Sequence, residues 1–249
     1  KKLLVGNFFC DIRRIGKLLL FVIGEGSYFL AVHLKMTGQL VYAFQDGFLA
    51  GGHSEQINKE IMTLPNGFTR IIIIFKDGSK LFFNDLRRFG YLQVIKKEEL
   101  IGVKNKFGIE PLKKEFTLEN FIKIMRSSKN SKIKTTLLDQ KKIAGTGNIY
   151  ADEILHHSKI RPARLVRNLT NQDLKNIFLS TEKIISQAIK YRGTTFNNYL
   201  DAKGQKGNFV KHLKVYGRKG AKCYGCGVMI KKIKQNGRGT HYCPKCQRW

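Results

Sequence analysis

Four of the five cysteines in this 249-residue chain form two matching knuckles, Cys223-x2-Cys226 and Cys243-x2-Cys246, with sixteen residues between them. Each knuckle can offer two thiolates to one ion, and two knuckles complete a tetrahedral four-thiolate zinc centre. Four protein ligands leave no position for water, so the expected zinc is structural. Two disulfides are the competing reading. The opening Lys1-Lys2-Leu3-Leu4-Val5 runs into Asn7 and Asp11 and does not read as a secretory signal, and a reducing compartment favours metal. The stretch between the knuckles reads as a hairpin, with arms Val228–Ile233 and Thr240–Tyr242 and a tip at Asn236-Gly237-Arg238-Gly239. His241 reads as a surface or core histidine and Cys10 as a buried small apolar residue.

A second constellation is Gly145-Thr146-Gly147-Asn148-Ile149-Tyr150-Ala151-Asp152-Glu153. Two glycines lead into Asn148, a good helix N-cap, followed by Ile149, Ala151, Ile154 and Leu155 at helical spacing. Such a turn exposes backbone N–H groups where the helix dipole favours an anion. A tight loop that only needs positive φ would show the same glycines.

Charge favours the anion. Lys and Arg total 46 against 18 Asp and Glu, a formal +28. A surplus of this size repels itself in a compact chain and calls for a polyanionic partner, nucleic acid first and an anionic membrane surface second. No apolar run approaches the length needed to span a bilayer. With 42% hydrophobic residues, the chain can bury one large or two medium cores.

The elements that must position these residues change character along the chain. The first hundred residues read as short strands: Leu18–Ile23 and Tyr28–Leu34 about Gly24-Glu25-Gly26, Arg70–Phe75 and Lys80–Phe83 about Asp77-Gly78, then Gly90–Ile95. These suggest a sandwich or barrel-like sheet pair, with 45–66 as a loop. Helical periodicity takes over from Thr117, with helices predicted at Thr117–Met125, Ile133–Asp139, Ile149–His157 and Asn171–Tyr191. Gly102, Gly108 and Pro111 mark a boundary, and Gly193–Lys206 leads to the tail. The expected fold is α+β: a β-rich lobe of sandwich or barrel-like sheets (1–104), a helical part (105–205) and a four-cysteine zinc-finger hairpin (206–249).

Several separate motifs together resemble the formamidopyrimidine-DNA glycosylases, bacterial enzymes that excise oxidised purines. They are Arg13-Arg14-Ile15-Gly16-Lys17, His33-Leu34-Lys35-Met36-Thr37-Gly38, Asn84-Asp85-Leu86-Arg87-Arg88-Phe89-Gly90, Gly145–Glu153 and the four-cysteine tail. The resemblance implies a β-sandwich lobe, incomplete at its start in this sequence, followed by a helix-two-turn-helix and a zinc finger. The implied activity is DNA glycosylase and AP lyase, with β,δ-elimination. The implied partner of a monomer is double-stranded DNA carrying oxidised bases or abasic sites, with no membrane. The setting would be the bacterial cytoplasm, on the nucleoid when DNA is bound. Lys17 would act as proton donor for β-elimination, and Arg238 would bind phosphate beside the lesion and assist δ-elimination. Met36, Arg87 and Phe89 would fill the hole left by the extruded base, with Arg88 in the same DNA-binding loop. Asn148 with the backbone at Gly145 and Gly147 would hold phosphates, as would Lys134; Arg70 stands where the family has a DNA-contacting His. Cys223, Cys226, Cys243 and Cys246 would hold the zinc, and Thr194–Lys206 would close over the extruded base.

One departure is expected to matter. The family's nucleophile is an N-terminal Pro followed by Glu, whereas this sequence begins with Lys1 and has no Pro before Pro65. The expectation is therefore DNA binding with weak or no glycosylase activity for the chain as written. The alternatives are an endonuclease VIII-type enzyme for oxidised pyrimidines and a noncatalytic zinc-containing nucleic-acid binder.

Overall fold

The computed structural model describes residues 3–53, 63–194, 199–200 and 207–249. The chain divides into two compact units, Lys1–Gly102 with Tyr191–Lys211 and Val103–Lys190 with His212–Trp249.

The first unit is a pair of antiparallel sheets. Its strands are β1 (Phe9–Ile15), β2 (Leu18–Ile23), β3 (Tyr28–His33), β4 (Gly38–Phe44), β5 (Gly47–His53), β6 (Thr69–Ile74), β7 (Lys80–Asp85), β8 (Tyr91–Lys96) and β9 (Tyr199–Leu200). One sheet runs β1-β2-β3-β8 and the other β6-β7-β4-β5-β9. The unbroken apolar runs of β2 and β3 are buried almost throughout, the pattern of central strands covered on both faces. Phe21, Ile23, Leu30 and Val32 form a core on which Leu40 and Ile73 of the other sheet pack. This is the expected sandwich.

β1 and β2 are joined by the two-residue turn Gly16-Lys17, since Ile15 pairs with Leu18. Gly16 has φ 55 and Lys17 keeps an ordinary φ, the type II′ pattern that matches strand twist. Lys17 therefore stands exposed at a hairpin tip. Cys10, expected to be buried, is exposed because β1 is an edge strand whose side chains are mostly in solvent.

The segment 45–66 is not all loop. β5 occupies Gly47–His53 and pairs residue by residue with β4, from Phe44↔Gly47 to Gln39↔Gly52; residues 54–62 lie outside the described residues. Gly51-Gly52 reads as a breaker in sequence, yet Gly52 permits close strand approach. At φ 118, a Cβ there would lie 2.6 Å from the Gly38 carbonyl oxygen and 2.9 Å from Gln39 Cα.

The division between units falls within the short helix α1 (Glu99–Lys104). The second unit holds α2 (Leu118–Arg126), α3 (Ile133–Leu138), α4 (Asn148–His157) and α5 (Asn171–Lys190), then the hairpin β10 (Lys231–Gln235) and β11 (Arg238–Tyr242). Thr117 caps α2 by accepting the Asn120 N–H at 3.3 Å. Phe121, Met125, Ile133, Leu137, Ile154 and Leu174 are fully buried, so the apolar stripes read from the sequence form one helical core. Phe116 stacks on Phe178 at 4.9 Å within it. The helical part of the sequence division runs to 205; in the structure the chain rejoins the β-rich unit over Tyr191–Lys211, where β9 pairs with β5. The 195–198 and 201–206 stretches of the expected closing loop lie outside the described residues.

Replacing Gly52 by Ala should lower the unfolding free energy by about 1–3 kcal/mol, because it combines left-handed strain with a backbone clash. Gly51→Ala, with nothing within 4 Å of the new methyl, should cost much less. Equal urea midpoints for the two variants would contradict the close approach of β4 and β5.

Candidate nucleic-acid interface and metal centre

In the β-rich unit the expected lesion-side residues converge on one buried carboxylate. Asp85 ends β7 at 1% exposure. Its Oδ1 accepts hydrogen bonds from the Thr37 hydroxyl and the Arg87 N–H, and its Oδ2 accepts the Gly90 N–H at 2.6 Å. Thr37 Oγ1 also accepts the Arg87 N–H at 3.0 Å. These bonds fold Leu86–Phe89 into a tight loop and tie it to the β3–β4 turn. Gly90 must lack a side chain, since a Cβ there would lie 2.7 Å from the Phe83 ring. Arg88 takes φ 57, which turns the loop.

The side chains held out by this loop meet. The Arg87 guanidinium lies 4.8 Å from the Phe89 ring centroid, and Arg87 Nη1 donates to Met36 Sδ at 3.4 Å. Met36 is 56% and Phe89 54% exposed, so a cation, a thioether and an aromatic ring form an exposed cluster. Arg88 is exposed beside them. Arg70 is half-buried and donates from Nε to the Asp85 carbonyl at 2.9 Å, so it braces the same strand end.

His33, quoted in a motif but given no role from the sequence, belongs to this region. Its Nδ1 accepts the Lys35 N–H at 2.9 Å, which leaves the ring proton on Nε2. Burial, then the charges of Lys35 and Lys17, hold its pKa at about 4. The Lys17 ammonium therefore stands close enough to bear on a neutral imidazole.

In the helical unit, α3, the loop 139–147 and α4 form the two-helix element. Gln140 organises the loop: its Oε1 accepts the Gly145 N–H at 2.9 Å and its Nε2 donates to the Thr146 carbonyl at 2.8 Å. Gly145 supplies the expected positive φ, 89. Its N–H is thus engaged by Gln140, which corrects the expectation that it holds a phosphate. Asn148 is the first helical residue, and the N-cap is Gly147 in extended conformation. The Asn148 Nδ2 donates to the Gly239 carbonyl at 3.1 Å.

Lys134 is the clearest correction. Expected on phosphate, it is 1% exposed, with Nζ 2.6 Å from Asp152 Oδ1, 2.8 Å from Thr240 Oγ1 and 3.1 Å from the Gly239 carbonyl. Its three donors are engaged inside the unit. Burial lowers its pKa, Asp152 opposes that shift, and the nearby Arg238 adds to it. Asp152 is completely buried and also accepts the His241 N–H at 2.8 Å. Next to it, Glu153 accepts the N–H groups of Lys214, Val215 and Tyr216 at 2.8–2.9 Å. Neither carboxylate was assigned a role from the sequence.

These bonds fix the hairpin that carries Arg238. Gln235 pairs with Arg238 across Asn236 (φ 48) and Gly237 (φ 75), a type I′ turn that places Arg238 exposed at the tip. Arg238, Lys134, Lys142, Ser131 and Asn236 line a cavity of 260 Å³ within this unit.

The four knuckle sulfurs lie within 4.8 Å of one another. Cys223 and Cys246 are 3.9 Å apart, and Cys226 and Cys243 3.4 Å. A Zn–S bond of about 2.3 Å implies sulfurs about 3.8 Å apart in a tetrahedron, so the residues fit zinc. The thiols alone are at odds. Burial, then the neighbouring sulfurs, push Cys246 up to about 12, and burial raises Cys243. Cys226 falls to about 7, chiefly through the Val228 N–H. A divalent cation resolves this by replacing the protons.

A β-sandwich bearing an Arg-Phe-Met cluster, with a two-helix element anchoring a four-thiolate hairpin, defines the class: a zinc-containing nucleic-acid-binding protein. The formamidopyrimidine-DNA glycosylase N-terminal domain matches residues 1–92 and the H2TH domain of those enzymes 107–199. The zinc finger found in FPG and IleRS matches 220–248. The formamidopyrimidine-DNA glycosylase of Pelotomaculum thermopropionicum is 40% identical over 240 residues, 95% of this chain and 80% of that one. That of Listeria monocytogenes is 39% identical over 249 residues, 99% and 84% of the two chains. Among solved structures, Lactococcus lactis Fpg bound to abasic-site DNA is similar with a TM-score of 0.84 at 35% identity, over 100% of this chain and 85% of that one. MutM bound to DNA containing carbocyclic 8-oxo-G gives 0.82 at 33%, with the same coverage. The chain belongs to the formamidopyrimidine-DNA glycosylase family.

Lys134→Met should cost about 3–5 kcal/mol by stranding the buried Asp152 carboxylate. Adding Asp152→Asn should cost less than the sum of the single changes. Strict additivity in urea melts of the zinc-loaded protein would contradict the ion pair. His33 ring resonances should keep their neutral positions as pH falls from 6.5 towards 4. Folding lowers this pKa, so the unfolded chain binds the proton first and acidification through that window removes stability. A midpoint near 6.5 in an NMR titration would refute the placement.

Proposed function

We propose that the protein acts in base-excision repair as a DNA glycosylase and AP lyase, with residues 1–249 supplying DNA binding and little or no excision by themselves, since they lack the Pro-Glu pair that the family uses as nucleophile and acid/base. It would remove oxidised purines such as 8-oxoguanine and formamidopyrimidines from duplex DNA and cut the strand on both sides of the sugar. The carrying observation is the Met36–Arg87–Phe89 cluster on the loop held by Asp85, in a member of this family. A thioether, an aromatic ring and a guanidinium are suited to occupy the gap left by an extruded nucleotide, filling, wedging and hydrogen-bonding in turn. Exposure and mutual contact of the three support that role, and the DNA-bound Lactococcus and MutM structures support the substrate class.

Lys17 is proposed as proton donor for β-elimination, supported by its exposed hairpin tip and its nearness to neutral His33. Asn148 and Arg238 are proposed phosphate ligands, supported by their common attachment to Gly239, which accepts from Asn148 and follows Arg238 in sequence. Arg70, Lys134 and Gly145 act behind them as braces. When bound, zinc holds the shape of the hairpin. Among the described residues no helix is long and apolar enough to cross a membrane. We place the protein in the cytoplasm, on the nucleoid while bound to DNA, as a monomer.

Binding to duplexes carrying 8-oxoguanine, thymine glycol or an abasic analogue tests the reading. The purine lesion should be preferred, and Arg238→Gln should weaken binding to all duplexes alike while lowering the salt slope by about one. Preference for thymine glycol would move the chain to oxidised pyrimidines. Equal affinity for damaged duplex, intact duplex and RNA would reduce it to a nonspecific binder.

A further inference from the structure

One face of α4 touches the zinc-bearing segment at every turn. Asn148 reaches the Gly239 carbonyl, Asp152 the His241 N–H, and Glu153 the N–H groups of residues 214–216. Asn148, Asp152 and His156 are spaced i, i+4, i+8, which puts them on one stripe of the helix. His156 closes that stripe at the metal end, where its Nε2 lies 3.7 Å from Cys223 Sγ.

We propose that His156 is the outer-shell partner of the zinc centre, donating its Nε2–H to the Cys223 thiolate. Cys223 is buried, so water does not solvate that sulfur well. A thiolate bound to zinc keeps lone pairs that accept hydrogen bonds, and a donor aimed at one draws charge off the sulfur and strengthens the site. The opposite knuckle obtains its donor from the backbone, where the Cys246 N–H reaches Cys243 Sγ at 3.3 Å. At Cys223 a side chain from α4 takes that role. The helix that begins at Asn148 is thereby joined to the metal that shapes the hairpin of Arg238.

The test compares wild type, His156→Phe and His156→Gln with zinc or cobalt bound. Phe keeps a ring without a donor, and Gln keeps an N–H. His156→Phe should shift the thiolate-to-cobalt charge-transfer band to lower energy and weaken zinc retention against a chelator about 10-fold or more. His156→Gln should fall between Phe and wild type in both. A Phe variant that matches wild type in either measure overturns the proposal. Should the Phe variant fail to fold, cadmium-113-loaded wild type decides: the His156 Nε2–H proton should couple to the metal across the hydrogen bond, and its absence with four thiolates bound overturns the assignment. A cobalt spectrum of three thiolates and one imidazole in wild type would make His156 a ligand and also overturn it.

Discussion

A buried carboxylate on a helix is the constraint from which the helical unit's function follows. Asp152 has no water to solvate it, and an uncompensated charge there would cost several kcal/mol. It is compensated by the Lys134 ammonium and by the His241 N–H, which belongs to β11. The two-helix element and the zinc hairpin therefore cannot separate without exposing or orphaning charge. Glu153 makes the same demand of the segment entering the finger. Burial raises its carboxyl pKa, and three backbone donors oppose that rise. Because Lys134 also binds the carbonyl of Gly239, the residue after Arg238, the ion pair fixes the aim of an arginine that it does not touch through the side chain.

The β-rich unit solves a related problem without a buried cation. Asp85 is as deeply buried as Lys134, yet it is satisfied by a hydroxyl and two backbone N–H groups. Such donors come from the chain being shaped, so the bonds that stabilise the charge also set the loop. A carboxylate saturated by local backbone donors produces a rigid turn, whereas one saturated by a distant lysine produces a joint between elements. Rigidity at Arg87 and Phe89 suits the proposed wedge, since a flexible one would lose side-chain entropy on entering DNA.

The sequence disclosed the parts of this arrangement that depend on short spacing. The paired Cys-x-x-Cys knuckles, the Asn236-Gly237 turn, the Asp77-Gly78 hairpin and the apolar stripes of α2, α4 and α5 are local, and all are present in the structure. What depends on distant partners was not legible. Lys134 looks like a phosphate ligand at a helix start until Thr240, 106 positions away, is seen to accept its hydrogen bond. Asn148 is a good N-cap by type, but Gly239 claims its amide. β5 was hidden because glycine usually breaks strands, while at Gly52 the missing side chain is what lets β4 come near. His33 gave no functional signal in sequence because its state is set by burial and by the ammonium groups of Lys35 and Lys17 together.

The charge surplus is resolved only in part within the protein. From His212 to Trp249 the chain has ten Lys and Arg and no Asp or Glu. A zinc ion with four thiolates carries a formal charge of about −2, which brings ten positive charges down to about eight. Asp152 and Glu153 enter from α4 and bring two more negative charges to the finger, but Asp152 is already matched by Lys134. The remaining cations, among them Lys231, Lys232 and Lys234 along exposed β10, have no acidic neighbours within the finger itself. Their repulsion is tolerable in salt and becomes favourable once phosphates replace the counterions. A segment stapled by metal and buried carboxylates can carry such a field without unfolding, and a polyanion is what that field is suited to meet.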